Sequence, residues 1–297
     1  MRRPRQVPSS FLYDDLGSAL FDAICHLPWY PIPGAETALL VAHGREIFDA
    51  AGRPDRAIEL GPGGGDKLGI WIGAAKTPPG LTVHLVDVSS SALTAARMRL
   101  SIHPDLTVHT HVAEYESGLE EAVTRFPAAP TLVLFLGSNI GNFDPGDTDQ
   151  FLRRVRATMR SGDAFLLGAD LVKPRERLLL AYNDPLGVTA AFNRNVLTRL
   201  NREYGATFDE GRFMHRALWN REASRIEMHL VSRGRQEVRV PGLDLEFSLE
   251  PEETIWTESS YKFERGDIVA RCERAGFTVA GPWVDEGNGF ALTLGRA

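Results

Sequence analysis

Residues 59–67 read Glu-Leu-Gly-Pro-Gly-Gly-Gly-Asp-Lys and follow the short apolar run Ala57-Ile58. Gly61, Gly63, Gly64 and Gly65 permit positive φ and close approach of backbone to a ligand. A helical pattern opens near Asp66, so free N–H groups and the positive end of a helix dipole face the same turn. Gly-x-Gly-Gly-Gly lacks the third glycine of the Gly-x-Gly-x-x-Gly dinucleotide loop. Glu59, just before the turn, would also repel a pyrophosphate, which disfavours an NAD-dependent oxidoreductase. Lys67 opposes the helix dipole, a cost that a ligand carboxylate would offset; a solvated lysine is the alternative. A connecting turn with no ligand is the bland reading of the whole stretch.

Three further positions carry comparable chemistry. Asp87 ends the run Val83-His-Leu-Val-Asp87 and is placed either to accept both hydroxyls of a ribose or to cap the next helix. Glu114–Tyr115 suits an adenine amino group and ring, or else a solvent-facing loop. Asn142 closes Phe135-Leu-Gly-Ser-Asn-Ile-Gly-Asn142; its amide both donates and accepts, which fits an amino-acid head group or a local turn. The eight histidines show no metal-ligand pattern, and no metal is expected: His103, His109 and His111 form no closed set, and His215 and His229 read as ordinary strand residues. No P-loop and no Gly-x-Ser-x-Gly elbow occurs.

The elements that must position these residues alternate. Strands are expected at 57–60, 81–86, 106–112, 131–136 and 164–167, with helices at 66–75, 89–100, 118–126 and 148–159. Repeated βα units imply a mainly parallel sheet with helices on both faces. Ligands of such sheets bind beyond the strand C-termini, where Glu59, Asp87, Glu114 and the 137–142 loop all fall. Upstream, 11–27 has helical spacing interrupted by Gly17, Pro28–Pro33 reads as an ordered loop, and 36–51 as a helix. After Asp170 come two helices, 174–182 and 188–204, then short strands over 213–249, too long for one crossover. This is an inserted lobe. A helix at 265–275 and strands at 277–284 and 290–294 return to the α/β style.

The chain has 297 residues, 43% hydrophobic and 24% charged, which is enough for one large or two modest packed domains. A net charge of −6 argues against a nucleic-acid-binding body. Arg2, Arg3 and Arg5 read as a solvated tail. Two cysteines, Cys25 and Cys272, fit a reducing, cytoplasmic setting rather than a disulfide framework. No run reaches membrane-spanning length, and no signal-peptide core opens the chain. A monomer is expected.

An acidic residue before Gly-x-Gly-x-Gly resembles motif I of class I S-adenosylmethionine (SAM) methyltransferases, whose cofactor carries a cationic amine and a sulfonium. Beyond residue 10, nearly the whole chain resembles the SAM-dependent histidine Nα-methyltransferases of ergothioneine biosynthesis and related amino-acid N-methyltransferases. The likeness rests on Phe11–Phe21, Leu27–Tyr30, Glu59–Lys67, Phe135–Asn142 and Gly168–Lys173. Its most specific stretches are Ala181-Tyr182, Gly187–Val196, Arg225–Leu230 and Thr257–Phe263, which lie in the lobe.

The resemblance implies a class I, Rossmann-like, mainly parallel α/β sheet with an inserted α+β substrate lobe. The SAM-binding domain is expected at 35–170 plus 263–297, the lobe at 11–34 plus 171–262, and a flexible tail at 1–10. It implies trimethylation of the α-amine of L-histidine to hercynine, by way of mono- and dimethyl intermediates, with no nucleic-acid or membrane partner. Gly61, Lys67, Asp87 and Glu114–Tyr115 match SAM-binding positions, with Glu59 and Gly63 in the same loop. Tyr30, Asn142, Tyr182, Glu258 and Ser260 match substrate positions, Tyr13 a pocket-lining tyrosine, and Met228 a residue at the imidazole end. Tyr13, Tyr30 and Asn142 are the candidates nearest the reacting amine. Glu258 suits a buried imidazole N–H, and Ser260 the other ring nitrogen. Another amino acid or an aromatic amine is the alternative acceptor, and a non-catalytic SAM- or adenosine-binding module is the alternative class.

Overall fold

A computed structural model describes residues 4–297, arranged as two compact units. One comprises residues 32–172 and 263–297; the other, the remainder through residue 262.

The larger unit is an eight-stranded sheet. It begins with α2 (Ile32–Ala50), then alternates β2 (Arg56–Leu60), α3 (Asp66–Ala75), β3 (Thr82–Asp87), α4 (Ser90–Leu100), β4 (Thr107–Val112), α5 (Tyr115–Thr124), β5 (Thr131–Phe135), α6 (Pro145–Thr158) and β6 (Ala164–Asp170). The C-terminal part adds α9 (Arg265–Arg274), β12 (Thr278–Val279), β13 (Trp283–Asp285) and β14 (Phe290–Arg296). Strand order is β12-β14-β6-β5-β2-β3-β4, with β13 also on β14. β6, β5, β2, β3 and β4 run parallel, and β14 runs antiparallel to β6. Every residue of β2, β5 and β6 is buried, as expected for strands covered on both faces. The chain runs outward from β2 to β4, then returns to β5 on the other side of β2. The crevice at such a reversal is where open α/β sheets bind ligands.

The smaller unit packs α1 (Asp15–Cys25), α7 (Arg175–Tyr182) and α8 (Val188–Tyr204) with a four-stranded sheet. Its order is β1 (Arg5–Gln6), β11 (Thr254–Tyr261), β8 (Arg225–Ser232), β7 (Phe213–Asn220). β9 (Gln236–Val240) and β10 (Leu245–Leu249) form a separate hairpin.

Several local expectations are corrected. Part of the segment read as a flexible tail is ordered: β1 pairs in parallel with β11. Arg5 is ion-paired with Glu253 and lies 4.7 Å from the Phe247 ring centroid, so its charge anchors the segment. Arg2 and Arg3 lie outside the described residues. Helix α2 starts at Ile32, inside the stretch read as a loop, because Pro33 falls in its first turn, where no N–H is needed. Gly17 does not interrupt α1; its N–H donates to Oδ1 of the N-cap Asp14 at 2.8 Å. A side chain there would strike the Leu12 carbonyl. The strand read at 277–284 is two short pieces, each paired with β14.

Candidate active site

The glycine turn after β2 has the geometry its sequence requires. Gly61 has φ +69° and lies where a Cβ would come within 3.0 Å of Asn139 Nδ2 and 3.1 Å of the Tyr115 hydroxyl. A bulkier residue there would close the space beside the strand end. Gly63 is also left-handed, with φ +52°. Tyr115 is the first residue of α5, one turn earlier than expected, and Glu114 is its exposed N-cap. The Tyr115 ring packs edge-on to Phe135 at 5.1 Å. Burial, with the nearby Asp87 charge, pushes its phenol up to about 12.

Acidic groups gather at the ends of β2 and β3. Glu59 is 1% exposed, and its Oε2 is buried without a hydrogen-bond partner. Burial raises its pKa to about 8; the Lys67 charge opposes that rise, and Glu36 and Asp87 add to it. Asp87 is raised mainly by burial, while its Oδ1 accepts the Ser89 N–H at 2.9 Å. Ser89, not Asp87, caps α4 through its hydroxyl. Lys67, in the first turn of α3, is ion-paired at 2.7 Å with Glu36. Sequence reasoning missed Glu36: its helix also carries Glu46 and Asp49, and no motif singles it out. Asn142 ends a 3-10 turn (residues 139–142) after β5 and is exposed.

These features fit SAM. The orphaned carboxylate oxygen of Glu59 has the chemistry to take a cation, the Asp87 carboxylate that to accept ribose hydroxyls, and Gly61 leaves room for close approach. Glu114 is exposed rather than enclosed.

The smaller unit carries a second set of candidate residues. Tyr13, Phe21, Tyr30 and Tyr182 form a chain of ring contacts at 5.6, 6.3 and 5.9 Å between successive centroids. Glu258 is 7% exposed; burial lifts its pKa to about 7 against the opposing Lys262 charge and the Tyr13 hydrogen bond. Tyr13 donates its hydroxyl to Glu258 Oε1 at 3.4 Å. Met228 stands directly opposite Glu258 across the β8–β11 ladder. A bulge between Trp256 and Glu258 sets that pairing, since an inserted residue shifts the phase of side-chain alternation. Ser260 and Tyr182 share a hydroxyl–hydroxyl bond of 2.8 Å.

The surrounding polar residues hold these groups in place. His215 Nε2 donates to the Tyr182 carbonyl at 2.8 Å, and its Nδ1 accepts from Asn193 at 2.9 Å. Asn193 Oδ1 accepts from the bulged Thr257 at 2.6 Å. One buried amide thereby ties α8 to β7 and β11. His84, His109 and His111 stack beside Phe126, but among the described residues no group of three or more His, Cys, Asp or Glu is arranged to hold a metal. Among the same residues, no helix is long and apolar enough to cross a membrane.

The mainly parallel sheet, with its glycine turn at the strand reversal, has the Rossmann-like α/β architecture of class I methyltransferases. The family model described as histidine-specific, SAM-dependent methyltransferase matches residues 1–297. A histidine N-alpha-methyltransferase of Mycobacterium tuberculosis is 40% identical over 99% of this chain and 91% of its own. Its counterpart in Mycolicibacterium smegmatis is 39% identical over 98% and 90%. Among solved structures, an O-methyltransferase family protein from Burkholderia thailandensis aligns with TM-score 0.48 and 14% identity, covering 97% of this chain and 61% of that one. The chain belongs to the SAM-dependent, histidine-specific methyltransferase family.

Proposed function

We propose that this chain methylates the α-amino group of L-histidine three times with SAM, giving hercynine for ergothioneine biosynthesis. The observation that carries this reading is Glu258, a buried carboxylate opposite Met228 with Ser260 two residues along the same strand. Beyond the long Tyr13 bond, an imidazole N–H gives this carboxylate a further charge-assisted donor, which favours its ionised form in a buried setting. Ser260, bonded to Tyr182, serves the second ring nitrogen.

SAM supplies a methyl group already activated on a sulfonium. Gly61, Gly63, Glu59, Lys67, Asp87 and Tyr115 are proposed to hold it, with the exposed Glu114 contributing at the adenine end. What remains for the chain is positioning, since a displacement needs its reacting atoms at about 3–3.5 Å. Asn142 is assigned the amino-acid head group, and Tyr13 and Tyr30 line the acceptor. Burial raises the Tyr30 phenol well above its ordinary value, so Tyr30 acts as a neutral hydrogen-bonding group. The proton of the amine leaves to water rather than to a Tyr30 phenolate. We take the chain as a cytoplasmic monomer; Cys25 and Cys272 form no disulfide with each other.

The test is incubation with SAM and each common amino acid, followed by mass spectrometry. Histidine alone gains one, two and three methyl groups. Consumption of another amino acid or an aromatic amine, with histidine unmodified, would replace histidine as the acceptor.

A further inference from the structure

The smaller unit buries a cation beside Tyr182 and Ser260. Lys262 is 2% exposed. It follows β11 directly, and its N–H donates to the Ser224 carbonyl at 2.8 Å, which extends the strand's alternation by one residue. Glu258, Ser260 and Lys262 therefore share one face at successive alternate positions. Lys262 Nζ donates to the Tyr182 hydroxyl at 2.8 Å and to Ser260 Oγ at 2.9 Å. The same nitrogen lies 4.7 Å from the centroid of the Tyr182 ring.

We propose that Lys262 is a positioning residue that sets the hydrogen-bond polarity of the acceptor pocket, holding Tyr182 and Ser260 as acceptors of its own N–H groups and balancing the buried Glu258. An ammonium only donates, so both hydroxyl oxygens must accept from it and their hydrogens turn away from Nζ. The Tyr182–Ser260 bond consumes one of those hydrogens. The pair is thus polarised as a donor on the side away from Lys262, whereas Glu258 in its ionised form only accepts. A neutral imidazole is the ring that matches both: it has one N–H to donate and one bare nitrogen to accept. An indole offers only the N–H. On this view, discrimination comes from three alternate residues of one strand, Lys262 supplying the direction. The charge of Lys262 is also the main influence opposing the upward shift of Glu258.

This inference rests on the acceptor reading above, so the test separates the two. Lys262→Met keeps the length and removes the charge; Lys262→Arg keeps the charge. Calorimetry measures L-histidine and SAM binding to each full-length protein. Carbon-13 NMR follows the Glu258 carboxyl titration, assigned by difference from Glu258→Gln. Titratable groups around these residues include Tyr13 on Glu258, Tyr30 and Cys25 from the N-terminal segment, and Tyr182 from α7. Lys262→Met is expected to weaken histidine binding about tenfold or more, the cost of unsatisfied buried polar groups. SAM binding should stay within about twofold, as for a site outside its contacts. The Glu258 titration should rise by about one pH unit, and Lys262→Arg should restore it. Unchanged histidine affinity and titration in Lys262→Met overturn the proposal. If Lys262→Met does not fold, Lys262→Arg decides: near wild-type affinity and titration support it, and loss of both assigns Lys262 to packing. If wild type does not bind histidine, the acceptor reading fails, while the Glu258 titration still decides whether Lys262 balances that carboxylate.

Discussion

Lys67 Nζ lies 2.7 Å from Oε2 of Glu36, a carboxylate with no solvent exposure. Both oxygens of Glu36 also accept the Gly137 N–H at 2.9 Å. One carboxylate therefore ties α2 to the first turn of α3 and to the loop after β5. Gly168 on β6 has to be glycine for the same reason, since a Cβ there would overlap Glu36. The cation that opposes the α3 dipole is offset from within the protein.

Removing that charge should be felt at the cofactor. Glu36→Gln keeps the shape but leaves the Lys67 ammonium without its carboxylate. The expected outcome is SAM binding weakened about tenfold, and a fold destabilised by about 1–3 kcal/mol, the usual cost of a lost buried charged hydrogen bond. Calorimetry and thermal melts measure the two. Unaltered SAM affinity would confine Glu36 to shaping the loop.

The proposed contact of Glu59 with SAM would link cofactor binding to protons. With a pKa of about 8 in the protein alone, it holds a proton at pH 7. A bound cation favours the carboxylate, so binding should release a proton, and affinity should rise with pH up to about 8. Calorimetry at pH 7 in two buffers of different ionisation enthalpy detects the release. A heat independent of buffer would show that Glu59 keeps its protonation state.

The same shift bears on stability. Glu59 and Glu258 have folded pKa values of about 8 and about 7, above the ordinary carboxylate range near 4.3. Groups raised on folding favour the native state fully below their unfolded pKa, and this contribution is lost as pH rises through the folded value. The ligand-free protein should therefore melt at lower temperature at pH 9 than at pH 5. Glu59→Gln should recover up to about 5 kcal/mol at pH 9 and nothing at pH 4. An equal gain at both pH values would remove ionisation as the cause.

Tyr182 offers a separation of hydroxyl from ring. Tyr182→Phe keeps the contact with Tyr30 but removes the bonds to Ser260 and Lys262. Histidine KM should rise about tenfold, as for a lost hydrogen bond to a charged group, with stability lowered by about 1 kcal/mol. Steady-state kinetics at saturating SAM measure the change. A fall in kcat with KM unaltered would place Tyr182 at the reacting amine instead of at the ring.

Periodicity recovered the sheet well because its strands are short apolar runs closed by turn residues. It was weaker at boundaries set by proline and glycine. Pro33 and Gly17 usually mark breaks, yet each sits in a first helical turn where the backbone tolerates it. The ordered strand at Arg5–Gln6 was invisible, since a two-residue strand has no period and owes its place to β11. Glu36 and Lys262 went unassigned because their partners are brought to them by folding.

From its residues alone, this chain determined the alternating α/β pattern, the glycine turn behind Glu59, and the acid ending β3. Those are local properties of spacing and residue type. Only the tertiary structure decided which charges meet. A bulge at Thr257 sets the phase of β11 so that Glu258 stands opposite Met228, and burial then moves its pKa to about 7. Register and desolvation depend on the neighbours of a residue in space, and sequence order does not list them.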